Sequence, residues 1–126
     1  MIGPGKKARI LVVEDDLDIQ LIYNALLSPA FDVQLTSSVQ DALQAAAQQS
    51  FDLFLLDFHL GEKRTGVDLL GLLRQMPGYR STPAIACTAS ASMIGRRYFL
   101  SSGFNEYVAK PFNPLHLYAT IETALA

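Results

Sequence analysis

The chain has 126 residues, about the size of one domain, and 50% of them are hydrophobic whereas only 17% are charged, which excludes an intrinsically disordered segment. A net charge of −2 leaves no broad basic face for nucleic acid, and the single cysteine excludes an internal disulfide. No apolar run approaches the roughly 20 residues that span a bilayer, so we predict a soluble cytoplasmic domain.

The chain begins with a segment that is predicted to lie outside the packed structure. Residues 1–7, Met-Ile-Gly-Pro-Gly-Lys-Lys, are rich in Gly and Lys and predict a flexible leader. They have no apolar stretch after their charges, so they do not form a secretion signal. One domain is then predicted over residues 8–126.

The first strand and the first helix follow directly. Residues 9–13 are an apolar run rich in β-branched side chains, which predicts a parallel strand buried on both faces. Residues 16–27 carry Ile19, Ile22 and Leu26 at helical spacing, and this stripe is predicted to face the core.

The same strand-and-helix unit recurs through the rest of the chain. Further strands are predicted at 31–35, 52–56, 83–88 and 106–109, and further helices at about 38–49, 67–76, 92–102 and 114–126. Strands that alternate with helices at this spacing are joined by crossovers, which make the strands parallel. The predicted fold class is therefore α/β, a doubly wound five-stranded parallel sheet with five helices.

Polar side chains stand at the carboxyl ends of these strands, where such sheets bind their ligands. Glu14 and Asp15 follow the first strand, Asp57 ends the third, Thr88 ends the fourth and Lys110 follows the fifth. Three carboxylates at one place repel one another unless a cation or a shared proton relieves them. Carboxylates at an open site suit Mg²⁺, and an aspartate beside Mg²⁺ can form an acyl phosphate. The residues therefore predict phosphoryl transfer.

Four short motifs lie in order at these strand ends: Ile10-Leu-Val-Val-Glu-Asp-Asp16, Phe54-Leu-Leu-Asp57, Ala86-Cys-Thr-Ala-Ser90 and Glu106-Tyr-Val-Ala-Lys-Pro-Phe112. Each is weak alone, but together they are specific. With them the chain resembles, over residues 8–125, the receiver domain of two-component response regulators. The resemblance implies a flavodoxin-like fold with the strand order 2-1-3-4-5, the order found in chemotaxis receivers.

The resemblance implies how the phosphoryl group and the metal are held. Asp57 is expected to accept a phosphoryl group from a phosphohistidine of a histidine kinase or a histidine phosphotransfer protein. Glu14, Asp15 and Asp57 are expected to hold Mg²⁺ (or Mn²⁺) with the backbone carbonyl of His59. Lys110 is expected to contact a phosphoryl oxygen.

The resemblance also implies a conformational switch. Thr88 is expected to contact the phosphoryl group, and Tyr107 is expected to be the aromatic residue that turns inward as Thr88 moves. The Lys110–Pro111 bond is expected to be cis. Such a domain is not an enzyme with a separate substrate, because it catalyses only its own phosphorylation and dephosphorylation. We expect a monomer or weak homodimer that binds neither nucleic acid nor membrane.

The loop after Asp57 departs from the commonest family pattern. The family often has Pro four residues after this aspartate, where the chain has Gly61, and Gly66 comes one residue later than usual. His59 and Ser90 stand at variable positions that tune phosphorylation and hydrolysis. Ala89 is small and leaves access to Asp57 open.

Two groups of side chains predict partner surfaces. Leu17 and Leu21 lie far from the predicted core stripe of the first helix, which suggests a docking site for a kinase. Arg96, Arg97 and Tyr98 are candidates for an output or dimer surface. The last helix has no Lys or Arg, which disfavours the salt-bridged dimers of some receivers.

Simpler interpretations apply to other polar residues. Asp16 and Asp18 favour a helix N-terminus through its dipole, Cys87 is expected to be a buried apolar filler, and the side chains of His59 and His116 are expected to face solvent.

Alternative functions stay open from the sequence. A hydrolase of the haloacid dehalogenase type would need a second aspartate where His59 stands, and a flavin-binding module would need a Ser, Thr or Gly loop where the chain has acids after its first strand. A degenerate scaffold would not need the full residue set. A receiver module of a hybrid histidine kinase, or a phosphate sink without its own output, fits the same motifs. No DNA-binding region follows residue 126, so transcriptional output is not expected.

Overall fold

Five strands form one parallel sheet in the computed structural model, which describes residues 5–89 and 91–126. In chain order they are β1 (Arg9–Val13), β2 (Asp32–Thr36), β3 (Leu53–Asp57), β4 (Ala84–Thr88) and β5 (Glu106–Ala109). Their order across the sheet is β2-β1-β3-β4-β5, with parallel pairing throughout. The predicted fold class and strand order are confirmed. Residues 1–4 of the predicted leader, and Ser90, lie outside the described residues.

Helices follow the strands as predicted. They are α1 (Leu17–Leu27), α2 (Val39–Gln48), α3 (Gly66–Arg74), α4 (Ala91–Ile94), α5 (Arg96–Ser101) and α6 (Pro114–Leu125). Side chains accept hydrogen bonds from the first N–H groups of the four longer helices, and these caps are Asp16, Ser38, Thr65 and Asn113. None of the helices in the described part of the chain has both the length and the apolar character that a membrane span needs.

The helix predicted over residues 92–102 is divided into α4 and α5. Gly95 separates them with φ +89° and ψ 152°, a backbone conformation that is essentially restricted to glycine. Beyond the break, α5 is anchored to the sheet because Phe99 is fully buried and Arg96 Nη1 lies 3.1 Å from Glu106 Oε2 on β5. The fourth helical region therefore consists of two short segments rather than one continuous helix.

The hydrophobic core lies on both faces of the sheet. Alternate residues of β1 face opposite sides, Leu11 and Val13 towards α2 and α3, and Ile10 and Val12 towards α1 and α6. Every residue of β3 and β4 is buried, which confirms that these are strands covered on both faces. Cys87 is buried on β4, as predicted.

The predicted core stripe of α1 is partly wrong. Tyr23 and Leu27 are the buried residues of this helix, whereas Ile22 is 49% exposed. Ile19 and Leu26 are half-buried against the core. Tyr23 faces inward because its ring stacks on Phe112 at 5.1 Å and its hydroxyl donates to Cys87 Sγ. The buried side of α1 is therefore centred on Tyr23 and Leu27, and Ile22 joins Leu17 and Leu21 among its exposed apolar residues.

We expect Gly95→Ala to lower the free energy of unfolding by about 1–3 kcal/mol, because alanine at this φ is strained even though the space around it is open. The matched control is Gly71→Ala, at an exposed site within α3 that also has open space around it. This control should raise the free energy of unfolding by roughly 0.5–1 kcal/mol. Urea unfolding measures both values, and a stabilised Gly95→Ala variant would contradict the division between α4 and α5.

Candidate functional site

Three carboxylates meet at the carboxyl edge of the sheet. One oxygen each from Glu14, Asp15 and Asp57 lies within 4.8 Å of the others. Glu14 is 1% exposed and Asp57 is 6% exposed, whereas Asp15 faces solvent. Asp57 ends the buried strand β3, and Glu14 is held at the end of β1 by its N–H, which donates to Thr36 O on β2. The sheet therefore brings together the three acids that the sequence placed there.

Lys110 crosses the sheet edge to join two of these acids. Its Nζ donates to Glu14 Oε1 at 2.5 Å and to Asp57 Oδ2 at 2.9 Å. The backbone of Lys110 is fixed to β4, because its N–H donates to Thr88 O at 2.9 Å. The peptide bond that follows, to Pro111, is cis, as expected. Lys110 thus lies inside the cluster, although the sequence did not predict its bond to Glu14.

The charges of the cluster are not balanced. Lys110 brings one positive charge to a group of three carboxylates and pairs with two of them. Burial raises the pKa of the Glu14 carboxyl, and the hydrogen bond from Lys110 opposes this. Partial loss of hydration, and then a hydrogen bond with Glu14, raises the pKa of the Asp15 carboxyl although most of it faces solvent. Burial would lower the pKa of Lys110, but hydrogen bonds to Asp57 and Glu14 raise it. Excess negative charge on oxygen ligands is what a divalent cation relieves.

The proposed switch residues lie on neighbouring strands beside the cluster. Thr88 is fully buried at the end of β4. Tyr107 on β5 is half-buried, and its ring stacks on Phe99 at 5.7 Å. Because Phe99 belongs to α5, Tyr107 connects the sheet to this short helix. Arg96, Arg97 and Tyr98, the predicted partner surface, are exposed on the same helix.

Two glycines bring the loop after β3 close to the acids. A methyl group on Gly66 would lie 2.3 Å from the backbone oxygen of Asp57, so the start of α3 packs against the end of β3. A methyl group on Gly61 would lie 2.7 Å from Asp15 Oδ2, and Gly61 has φ +67°. Proline, with φ near about −65°, cannot adopt this conformation. Proline at position 61 is therefore incompatible with the loop in this conformation.

Some residues around the site were not predicted. The Gln20 side chain donates to Glu14 O at 2.7 Å and to Thr36 O at 3.2 Å, which ties α1 to the ends of β1 and β2. Glu62 in the loop accepts from the N–H of Val39 at the start of α2. Neither has a sequence signal, because each contact depends on how separate elements pack against one another. The histidine side chains at 59 and 116 are exposed, as predicted.

An apolar hollow lies next to Lys110. Ile19 and Ile22 of α1 form one side, and Ala89, Lys110, Pro111 and Phe112 form the other. Leu17 and Leu21 are 69% and 66% exposed on the same helix, and Leu17 lines a separate hollow with Gln20 and Thr36. Ala89, the small residue that is predicted to leave the approach to Asp57 open, is exposed.

Comparison with known proteins identifies relatives of the chain. Residues 10–122 match the family described as response regulator receiver domain. The transcriptional regulatory protein CpxR of Klebsiella pneumoniae is 36% identical over 93% of this chain, which spans 49% of that protein. The chain therefore covers about half the length of this relative.

Two solved structures have the same fold. The receiver domain of sensor histidine kinase PA1611 from Pseudomonas aeruginosa is 31% identical, with a TM-score of 0.84 over 94% of this chain and 98% of that one. Its structure has a magnesium ion coordinated in the active site cleft. Chemotaxis protein CheY4 of Vibrio cholerae is 26% identical, with a TM-score of 0.87 over 94% of this chain and 99% of that one.

We expect Mg²⁺ to raise the Tm of the wild-type protein, because a ligand that binds only the folded state stabilises it. Asp15→Asn should remove most of this increase by taking one carboxylate from the cluster. Asp16→Asn is the matched control, because Asp16 lies outside the cluster and caps α1, and asparagine caps a helix equally well. Thermal unfolding at several Mg²⁺ concentrations tests this, and an equal loss in both variants would contradict a specific site.

The effect of Mg²⁺ should also depend on pH. Protons compete with the metal for carboxylates, and the pKa values of Glu14 and Asp15 are raised. On acidification, the Mg²⁺-dependent increase in Tm should therefore begin to fade at a higher pH than for carboxylates with ordinary pKa values of about 4. The same unfolding experiment in a series of buffers measures this, and a pH-independent increase would argue against binding at these acids.

Proposed function

The chain belongs to the response regulator receiver domain family, and we propose that it accepts a phosphoryl group on Asp57 in two-component signalling. The donor is a phosphohistidine of a histidine kinase or a histidine phosphotransfer protein. The observation that carries this proposal is the buried Asp57 carboxylate, held 2.9 Å from Lys110 Nζ beside Glu14 and Asp15. A carboxylate that is buried, paired with an ammonium and next to further acids is suited to nucleophilic attack at phosphorus beside a metal.

The acids would hold Mg²⁺ or Mn²⁺. Glu14, Asp15 and Asp57 supply carboxylate oxygens, and the backbone carbonyl of His59 is the further ligand that the family resemblance implies. The fit is supported by the excess of negative charge over the single ammonium in the described cluster, and by the magnesium ion in the PA1611 receiver domain. When bound, the metal neutralises charge on the phosphoryl oxygens.

Asp57 and Lys110 carry the transfer step. A carboxylate oxygen of Asp57 forms a bond to phosphorus as the bond between phosphorus and the histidine nitrogen breaks, and the imidazole keeps that electron pair. Lys110 orients Asp57 beforehand through the 2.9 Å hydrogen bond and then contacts a phosphoryl oxygen. The Thr88 hydroxyl donates to another oxygen.

Phosphorylation changes the conformation of the domain and does not convert a separate substrate that is then released. As Thr88 moves towards the phosphoryl group, Tyr107 turns inward, and the change reaches α5 through the contact of Tyr107 with Phe99. Changing the ratio of the switched to the unswitched conformation from 1:99 to 99:1 needs about 5.5 kcal/mol of differential stabilisation. The proposed chemistry is therefore confined to the domain's own phosphorylation and dephosphorylation.

The same domain could serve in more than one setting. A receiver module within a hybrid histidine kinase is the second candidate, supported by the 31% identity with the receiver domain of sensor kinase PA1611. A phosphate sink without its own output is a variant of this proposal. In each setting we propose a cytoplasmic domain that by itself is a monomer or weak homodimer and contacts neither nucleic acid nor membrane.

We expect acetyl phosphate with Mg²⁺ to add one phosphoryl group to the wild-type protein and none to Asp57→Asn, because asparagine lacks the nucleophilic carboxylate. Intact-protein mass spectrometry measures the addition, and Asp16→Asn serves as the control that should be modified normally. Beryllofluoride with Mg²⁺ should change the Tyr spectrum of the wild-type protein and leave that of Asp57→Asn unchanged. A wild-type protein that stays unmodified, or a modification that is still found in Asp57→Asn, would contradict the proposal.

The exposed apolar face of α1 is the proposed kinase docking site. Leu17, Leu21 and Ile22 are exposed on one helix, and Ile22 also lines the apolar hollow that reaches Lys110. A partner helix that covers this face would bring its phosphohistidine to the edge of the sheet that carries Asp57. The position of the face therefore supports docking, beyond the fact of its exposure.

We expect the double substitution Leu17→Glu and Leu21→Glu to slow phosphotransfer from a phosphorylated histidine kinase at least tenfold, because it puts two carboxylates into an apolar interface. Phosphorylation by acetyl phosphate, which needs no docking, should be unchanged. Met93→Glu, at an exposed apolar site on α4, is the control and should leave both rates unchanged. Equal loss of both reactions in the double variant would refute docking through α1.

A further inference from the structure

The loop between β3 and α3 is fastened to a helix that belongs to another part of the sheet. Glu62 Oε2 accepts a hydrogen bond of 3.1 Å from the N–H of Val39, the buried first residue of α2. A carboxylate at this end of a helix also interacts favourably with the helix dipole. Its other oxygen, Oε1, lies 3.5 Å from Arg64 Nε. Both oxygens of Glu62 thus have partners, and one of them joins the loop to α2.

The residue just before Glu62 packs against an acid of the cluster. At Gly61 a methyl group would approach Asp15 Oδ2 to 2.7 Å, so the backbone of the loop limits the space available to the Asp15 carboxylate. The path of the loop at Gly61 therefore affects the orientation of Asp15. His59, the proposed carbonyl ligand, stands two residues earlier in the same loop.

Because residue 61 is glycine, the loop needs contacts with other parts of the chain to keep one conformation. Glycine has the largest conformational freedom in an unfastened loop, and proline, which fixes φ near about −65°, could not hold this residue at a positive φ. Holding Gly61 at φ +67° therefore requires contacts from its neighbours. The bond from Val39 to Glu62 is such a contact, and it is adjacent to Gly61 in the chain.

We propose that Glu62 is a positioning residue for the metal site: by fastening the loop to α2, it holds Gly61 against Asp15. The inference rests on the proposed function, in which Asp15 is a metal ligand. Glu62 does not touch the metal. It acts through the backbone of Gly61, and it restricts the conformational freedom that glycine gives the loop.

Three variants test this inference. Glu62→Ala removes the acceptor, and Glu62→Gln keeps an oxygen that can accept from Val39 N–H. Ser38→Ala is the matched control, because Ser38 Oγ caps the same helix by accepting from the N–H of Asp41 at 3.1 Å and is not part of the loop. Ser38→Ala and Glu62→Ala both cost α2 a hydrogen bond at its start, but only Glu62→Ala releases the loop.

The first measurement is the affinity for Mn²⁺, followed by electron paramagnetic resonance and checked by competition with Mg²⁺. We expect Glu62→Ala to weaken binding about tenfold, the lower end of the loss expected when an outer-shell partner of a metal site is removed. Glu62→Gln should stay within about twofold of the wild-type protein, and so should Ser38→Ala. The second measurement is amide hydrogen exchange, which should become faster over residues 58–65 in Glu62→Ala alone.

The outcomes separate this inference from the proposed function. Wild-type binding of Mn²⁺ with unchanged affinity in Glu62→Ala would overturn the role of Glu62 and leave the proposed function standing. Equal weakening in Ser38→Ala would overturn it too, because the effect would then come from the stability of α2. A wild-type protein that binds neither metal would overturn both proposals, whatever the exchange rates of the loop.

Discussion

The structure of the site depends on the pairing of Lys110 with two buried acids. Glu14 and Lys110 are 96 residues apart in the chain, and Asp57 and Lys110 are 53 apart. Two carboxylates that are almost fully buried are costly unless a cation and hydrogen bonds compensate them. The ammonium of Lys110 supplies both, so it links the ends of β1 and β3 to the segment that follows β5. A third carboxylate, Asp15, remains at the solvent side of this pair and leaves the cluster short of positive charge.

The sheet makes this arrangement possible because its central strands cannot shift. All residues of β3 and β4 are buried, and a register shift of one residue would disturb the close packing on both faces and move Asp57 and Thr88 away from their places at the sheet edge. Asp57 and Thr88 end these two strands and are therefore held in place by packing along the whole strand. The acids are carried by rigid elements, while the loops around them adapt to close approach. Gly66 packs against the end of β3, and Gly61 packs against Asp15.

The two sides of the site differ in how they are held. On the side of α1 and α2, hydrogen bonds from Gln20 tie α1 to the ends of β1 and β2, and the bond from Val39 N–H to Glu62 ties the loop after β3 to α2. On the side of α5, contacts between aromatic rings take this place, with Phe99 stacked on Tyr107. Hydrogen bonds favour one geometry, whereas stacked rings can slide or rotate at lower cost. This difference agrees with a proposed function in which the metal side stays fixed and the Tyr107 side moves.

The sequence by itself determined the sheet, its parallel strands and the acids at its carboxyl edge. Buried parallel strands are apolar on both faces, so residues 9–13 and 52–56 were recognisable, and Glu14 and Asp57 were placed by the ends of these strands. Only the tertiary structure decided which side of α1 faces the core. Ile22 and Tyr23 could each be buried on the basis of their side chains, and stacking on Phe112 places Tyr23 inside. The break at Gly95 was equally hidden, since glycine permits a positive φ without requiring it. The bonds of Glu14 to Lys110 and of Glu62 to Val39 join residues far apart in the chain, and no local pattern specifies such pairs. Local periodicity therefore determined the elements, and long-range packing decided their contacts.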